Sequence, residues 1–231
     1  MKILTIDTAS DVEIIAIGQK SGAAEFTVPT KNNHAAALIS NIEHCLNRSG
    51  LNIQQIEGIC TGTGPGSFTG IRIGVATARM LAQVLKVPIA GIHTSFLFAY
   101  SSHAITDEQI LVAFDAKKSR VFGALYCRGS NNSLIEIVCP GDYPLSYLLE
   151  KTDKNKKTIF LGNAGKKYTE EIKGSINNLE LIDEFRPDPQ KVYEISLSTL
   201  KNVGDMNYNN VLPFYSRRSD AELLKEIRGN I

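Results

Sequence analysis

Two short apolar runs open the chain, and only five residues separate them. Residues 2–6 (Lys-Ile-Leu-Thr-Ile) and 12–17 (Val-Glu-Ile-Ile-Ala-Ile) are rich in β-branched side chains, and Asp7-Thr8-Ala9-Ser10-Asp11 between them is turn chemistry. A parallel connection needs a crossover of a dozen or more residues, usually a helix, so this spacing predicts an antiparallel hairpin. It argues against an all-parallel dinucleotide-binding sheet. The same unit returns in the second half. Ile110–Phe114 reads as a strand, Asp115-Ala116-Lys117-Lys118-Ser119 as a polar turn, and Val121–Cys127 as the second arm. Aligning Asp7 with Asp115 matches strand, acid, turn and strand on both sides.

Each half continues alike. Residues 24–28 form a third strand closed by Pro29, and 134–138 its counterpart after the loop 129–133. Asn33 is a plausible N-cap for a helix from His34 to about Arg48, with Ala35, Leu38, Ile39, Ile42 and Leu46 on one face. Ile56–Thr61 is a buried strand, Gly62–Gly74 a glycine-rich loop opening a helix to about Leu85, and Pro88 the next boundary. Later come a lysine-rich loop at 151–157, a short strand at 159–161, a turn at Gly162–Gly165 opening a helix, and a terminal amphipathic helix over 220–228. Hairpins followed by helices predict mixed α/β lobes. The chain divides into an N-terminal lobe, 1–104, and a C-terminal lobe, 105–231, whose last helix at about 219–229 is placed to pack back on the first lobe.

Charge and cysteine usage exclude several classes. With 25 basic and 24 acidic residues the net charge is +1, so no global field draws the chain to nucleic acid or membrane. An extensive RNA footprint would show as a basic excess or stripe. Asp7 interrupts the opening apolar run before a signal-peptide core forms, and no later run reaches the roughly eighteen apolar residues that cross a bilayer. Cys45, Cys60, Cys127 and Cys139 are far apart with no C-x-x-C pair, which predicts reduced thiols in a cytoplasmic protein.

The loop Gly62-Thr63-Gly64-Pro65-Gly66-Ser67-Phe68-Thr69-Gly70 follows a strand and opens a helix. Its glycines either cradle an anion at the helix N-terminus or let two backbones pack closely. It lacks the lysine of a P-loop, the G-x-G-x-x-G spacing of a dinucleotide site, and the flanking glycines of a nucleophile elbow. Candidate nucleotide contacts are Asp7, Thr8, Ser10, Gly64, Gly66 and Ser67, the acid holding a hydrated magnesium and the hydroxyls meeting phosphate. Asp7 also serves as a plain turn aspartate. Beyond the loop, Gly70, Gly74, Ala78 and Ala82 recur in steps of four, leaving one helix edge almost bare. Each glycine costs about 1 kcal/mol of helix propensity, offset either by the lobe's own sheet or by a partner helix. His34 has Leu38 where a helical metal pair would place a second histidine, so no metal site is expected.

Gly64-Pro65-Gly66-Ser67-Phe68-Thr69-Gly70-Ile71-Arg72-Ile73-Gly74 resembles the signature of the bacterial TsaB (YeaZ) family. Ile6-Asp7-Thr8, the helix start at His34, Asp115-Ala116 with Val121-Phe122, Pro213-Phe214-Tyr215-Ser216-Arg217 and Ala221-Glu222 resemble its further motifs, with the likeness weakest over about 140–205. The resemblance implies a duplicated, RNase-H-like, actin-like (ASKHA) fold and kinship to TsaD, whose H-x-x-x-H metal motif is broken here by Leu38. It implies a non-catalytic scaffold that activates TsaD, with TsaE and ATP, in threonylcarbamoyl transfer to the adenosine beside a tRNA anticodon. No cofactor is required of the chain itself, and ATP or ADP with magnesium belongs to the complex. Partner contact through the two N-terminal-lobe helices is implied, with His34, Leu38, Ile42, Gly70, Ile71, Gly74, Ala78 and Ala82 as its expected residues. A homodimer through the same surface is expected when TsaD is absent, with tRNA met indirectly. On this reading Gly74→Leu leaves the monomer folded and blocks the heterodimer. The alternative is a stand-alone actin-like ATPase or metallopeptidase-like glycoprotease, and the chain lacks a metal pair or activated nucleophile for it.

Overall fold

The computed structural model describes residues 1–19, 22–29, 34–203 and 208–217, with 22–29 and 34–36 described as backbone only. The expected N-cap Asn33, the Ala221-Glu222 pattern and the terminal helix at 219–229 lie outside the described residues.

The opening hairpin forms as its spacing demands. β1 (Ile3–Asp7) and β2 (Val12–Gln19) pair antiparallel, and β3 (Gly22–Pro29) extends the meander. After α1 (His34–Arg48), β4 (Gly58–Gly62) pairs parallel to β1; after α2 (Phe68–Leu85), β5 (Ile89–Ile92) pairs parallel to β4. α3 (Thr94–Ser101) leads to the second sheet. There β6 (Gln109–Asp115), β7 (Arg120–Arg128) and β8 (Leu134–Pro144) form the meander, and α4 (Leu145–Glu150) connects it to β9 (Thr158–Leu161). α5 (Ala164–Lys167), α6 (Thr169–Ser175), β10 (Leu179–Ile182) and α7 (Pro189–Lys201) complete the described elements. Sheet order is β3-β2-β1-β4-β5 in the first lobe and β8-β7-β6-β9-β10 in the second, with identical strand directions. The short repeat around Asp7 and Asp115 thus marks a duplication of a whole five-stranded mixed sheet.

Period-two alternation explains the layering. Leu4, Ile6, Ile15 and Ile17 face α1 and α2, whereas Ile3, Ile14 and Ala16 face the other way. Along β6, Leu111 and Ala113 face α4–α6, whereas Ile110, Val112 and Phe114 face inward. The inward faces of both sheets, with α3 and α7 between them, share one continuous apolar core. Each sheet is therefore covered on both faces, which is why its strands read as unbroken apolar runs.

α7 corrects the expected division at residue 105. It packs across β1–β5 of the first sheet, and the Thr5 and Ser196 hydroxyls meet at 2.8 Å. The return to the first lobe begins at Pro189, well before the expected terminal helix. The helix start had a legible signal: Asp188 caps Gln190 and Lys191 amides, and Pro189 occupies the first turn.

The inner layer is also tied by a buried cation. Arg128, 2% exposed, donates to the carbonyls of Ala99 (2.8 Å) and Tyr100 (3.2 Å) and to the Ser102 hydroxyl (3.0 Å), closing the C-terminal end of α3. Burial lowers its pKa, and that of Lys191, which donates to the Ser101 carbonyl beside it. Arg128→Met fills similar volume but removes a charged donor from all three acceptors, leaving the Ala99 carbonyl only its bonds from Ser102, so we expect a loss of about 3 kcal/mol in urea unfolding. A change within 0.5 kcal/mol would show that the guanidinium is dispensable.

The thiols divide as burial dictates. Cys45, Cys60 and Cys127 are buried, Cys60 pushed up to about 12 by desolvation, while Cys139 is exposed on β8. A thiol reagent on the folded chain is expected to label Cys139 rapidly and the other three only after denaturant is added.

Candidate functional site

The β1–β2 turn and the glycine loop meet at the C-terminal ends of β1 and β4, and each side supplies the other's hydrogen bonds. Asp7 is fully buried; its Oδ1 accepts the Ala9 N–H at 2.8 Å. The Thr8 hydroxyl donates to the Gly70 carbonyl at 2.7 Å, and the Ser67 N–H donates to the Ala9 carbonyl at 2.7 Å. Ser10 closes a local turn with Val12, and the Ser67 hydroxyl caps α2 by accepting the Gly70 N–H at 3.2 Å. The Gly64 N–H donates to the Thr94 hydroxyl at 3.2 Å.

The glycines make this approach sterically feasible. A Cβ on Gly66 would lie 2.1 Å from the Ala9 carbonyl oxygen, one on Gly70 2.0 Å from that of Thr8, and one on Gly62 1.9 Å from the Asp7 carboxylate. Of the two readings of the loop, the geometry carries close packing. The polar groups of Asp7, Thr8, Ser10, Gly64 and Ser67, expected to meet nucleotide, are engaged by Ala9, Gly70, Val12 and Thr94, Gly66 packs against Ala9, and the named amides are already spent on the chain's own acceptors.

The matching turn of the second lobe is filled differently. Asp115 accepts from Lys167 Nζ at 2.8 Å, from the Tyr168 hydroxyl at 3.1 Å and from the Lys117 N–H at 3.0 Å. Partial burial raises its pKa, but Lys167, the Lys117 amide and Tyr168 outweigh that and leave it lowered. Asn163 receives the Asp115 N–H. A hydrated magnesium needs open carboxylate oxygens and room for its waters. Asp7 packed on Gly62 and Asp115 held by an ammonium group do not fit it.

The partner residues expected from the sequence are corrected by burial. Leu38, Ile42, Ile71, Ala78 and Ala82 are at most 3% exposed, and Gly70 and Gly74 are buried with them. They pack with β1, β2 and β4 in the core beneath α1 and α2. A Cβ on Gly74 would meet the Thr8 hydroxyl oxygen at 2.5 Å. The bare helix edge therefore seats the lobe's own turn, and bulk at Gly74 strains the fold itself. His34 begins α1, but its side chain lies outside the described residues.

A second row on α2 faces outward instead. Ile73 is partly buried, Met80 is 52% exposed and Val84 73% exposed, with Ile39 of the adjacent α1 at 47%. Their spacing of seven and four residues keeps Ile73, Met80 and Val84 on one helix face. The signal was present in the sequence, since α2 is apolar on more than one side; a helix with two apolar faces has two things to meet.

Among the described residues no group of three metal-binding side chains occurs, and no helix is long and apolar enough to cross a membrane.

The comparisons agree with this architecture. The family model described as TsaD, tRNA N6-adenosine threonylcarbamoyltransferase, matches residues 27–221. The chain is 28% identical over 228 residues to the tRNA threonylcarbamoyladenosine biosynthesis protein TsaB of Bacillus subtilis (strain 168), covering 96% of both chains. It is 30% identical over 132 residues to the protein of that name from Escherichia coli (strain K12), covering 57% of each. Among solved structures, YeaZ from Pseudomonas aeruginosa superposes with a TM-score of 0.78 at 19% identity, over 93% of this chain and 99% of that one. The superposition shows that the two-lobed architecture with its duplicated mixed sheet is shared. The chain belongs to the threonylcarbamoyltransferase family defined by that model and, within it, to the TsaB (YeaZ) group.

Proposed function

We propose that the chain serves tRNA threonylcarbamoyladenosine biosynthesis as a non-catalytic subunit that docks on a TsaD-type transferase. The docking face is the outward row of α2, Ile73, Met80 and Val84, with Ile39 of α1. The single observation that carries this reading is that row: Met80, Val84 and Ile39 are exposed apolar side chains over a core that is already packed, and Ile73, at the start of the row, is half-buried against that core. Isolated exposed apolar residues need no explanation, but successive ones on a single helix face do. The non-catalytic part is supported by the broken metal pair at Leu38 and by two turn carboxylates engaged within the chain. The shared core of the two lobes supports it too, because an actin-like enzyme that closes on substrate needs lobes free to move. In the assembly, TsaE and ATP act with the transferase, tRNA is met through it, and the same face holds a homodimer when the transferase is absent.

The test is reconstitution. Threonylcarbamoyl adenylate, tRNA, ATP and the TsaD- and TsaE-type proteins are combined, and modified adenosine is measured with each component left out. Omitting this chain is expected to abolish modification, while the chain alone with ATP and magnesium turns nothing over. Full modification without it would remove the proposed role. Turnover by the chain alone, lost on Asp7→Asn, would establish the ATPase alternative.

A further inference from the structure

The Pro213–Arg217 motif lies in a segment that neither the docking face nor the duplicated sheets account for. Its path runs between the lobes. Asn209 accepts from Arg79 of α2 at 2.7 Å, and Val211 is buried in the first lobe's core. The Phe214 N–H donates to the Thr63 carbonyl at 2.8 Å, and its ring meets His93 edge-on at 4.8 Å. Tyr215 lies 4.7 Å from Phe68 and accepts from Arg72 Nε at 2.8 Å, with the guanidinium over the Phe68 ring at 3.8 Å. Two residues on, Arg217 reaches the second lobe: its Nε is 3.8 Å from the Asp142 carboxylate, and its guanidinium stands 5.6 Å from the Phe122 ring.

Both anchor points are at corresponding ends of the two sheets. Thr63 follows β4, which runs parallel beside β1, so it lies next to the end of β1 at Asp7. Asp142 pairs with Phe122, next to the β6–β7 turn at the end of β6. Asp142 is almost buried and also takes Arg120 Nε at 2.8 Å, so a carboxylate fixed in the second lobe receives the end of the segment.

We propose that residues 208–217 form an interlobe clasp, which couples the N-terminal turn of α2 to the Arg120–Asp142 pair and sets the orientation of the lobes on the side of the two turns. The shared core with α3 and α7 joins the lobes from within, and the clasp joins them across the facing turns. Arg72 and Arg79 hold it, and each is the chain neighbour of a docking-face residue, Ile73 or Met80. A load placed on the outer face of α2 is thereby passed to Asp142.

Cross-lobe hydrogen exchange on the intact chain tests this by cutting the clasp in one lobe and reading the other. Arg217→Glu puts like charge against Asp142; the Ser67 and Thr94 amides of the first lobe are expected to exchange about tenfold faster. Arg72→Ala is expected to do the same to the Arg120 and Leu145 amides of the second lobe, while Arg217→Lys stays near wild type. Should either variant unfold, Tyr215→Phe, which removes only the oxygen that Arg72 donates to, is read at the same second-lobe amides. If every substitution loosens only its own lobe, the clasp is refuted.

Discussion

Gly70→Leu is expected to destabilise the chain by about 3 kcal/mol, with α2 lost from its seat on the β1–β2 turn. The new Cβ would stand 2.0 Å from the Thr8 carbonyl oxygen, a backbone atom that no rotamer change can move aside. Relief requires parting the helix from the turn. That breaks the Thr8 hydroxyl bond to the Gly70 carbonyl and the Ser67 amide bond to Ala9. Overpacking of this kind costs about 1–3 kcal/mol, and each hydrogen bond about 1 kcal/mol more. The improved helix propensity of leucine returns only about 1 kcal/mol. A domain stable by about 5–15 kcal/mol survives that at room temperature with little margin. Urea unfolding followed by circular dichroism reads the loss directly. Gly74→Leu tests the same edge more mildly, because its nearest obstacle is the Thr8 hydroxyl oxygen, which a rotamer change can move. It too should lower the urea midpoint. Were Gly74→Leu as stable as wild type yet unable to bind a transferase, the small-residue edge would face a partner after all.

What the sequence disclosed and what it hid follow one physical division. Local spacing determines local geometry, so five residues between Ile6 and Val12 were enough for the hairpin, and the same unit at Asp115 was enough for the duplication. Burial direction is not local. Gly70, Gly74, Ala78 and Ala82 declare a close approach, but nothing in their spacing says whether the approaching backbone belongs to the same chain. The structure answers with Thr8, sixty-two positions upstream of Gly70. α7 is hidden in the sequence for a related reason. Its residues Val192, Tyr193, Ser196 and Leu200 are a mixed set whose place is fixed by the inner core between the sheets, although the Asp188-Pro189 start is a local signal. The Pro213–Arg217 motif could be recognised, yet its role depends on Arg72 and Asp142, contacts that only the folded chain brings together.

The same division separates two classes of variant on one helix. Met80→Glu is expected to leave the urea midpoint within about 0.5 kcal/mol of wild type, because the side chain is half exposed and its neighbours lose little contact. Binding to a TsaD-type transferase is expected to weaken by about 100-fold, since a carboxylate would be stripped of water in the middle of an apolar contact. Val84→Glu, further along the same row and more exposed, should act in the same direction. Lys173→Glu on α6 changes charge twice as much on the far layer of the second lobe and should leave affinity unchanged. Titration calorimetry with the purified transferase gives the affinities, and sedimentation of the chain alone gives the homodimer, which the same two substitutions should dissociate. Inward and outward substitutions on the same helix would then part cleanly: Gly70 and Gly74 variants lose stability first, whereas Met80 and Val84 variants lose only the partner. Undiminished affinity in both glutamate variants would move the docking face off α2 and leave its exposed row without a function.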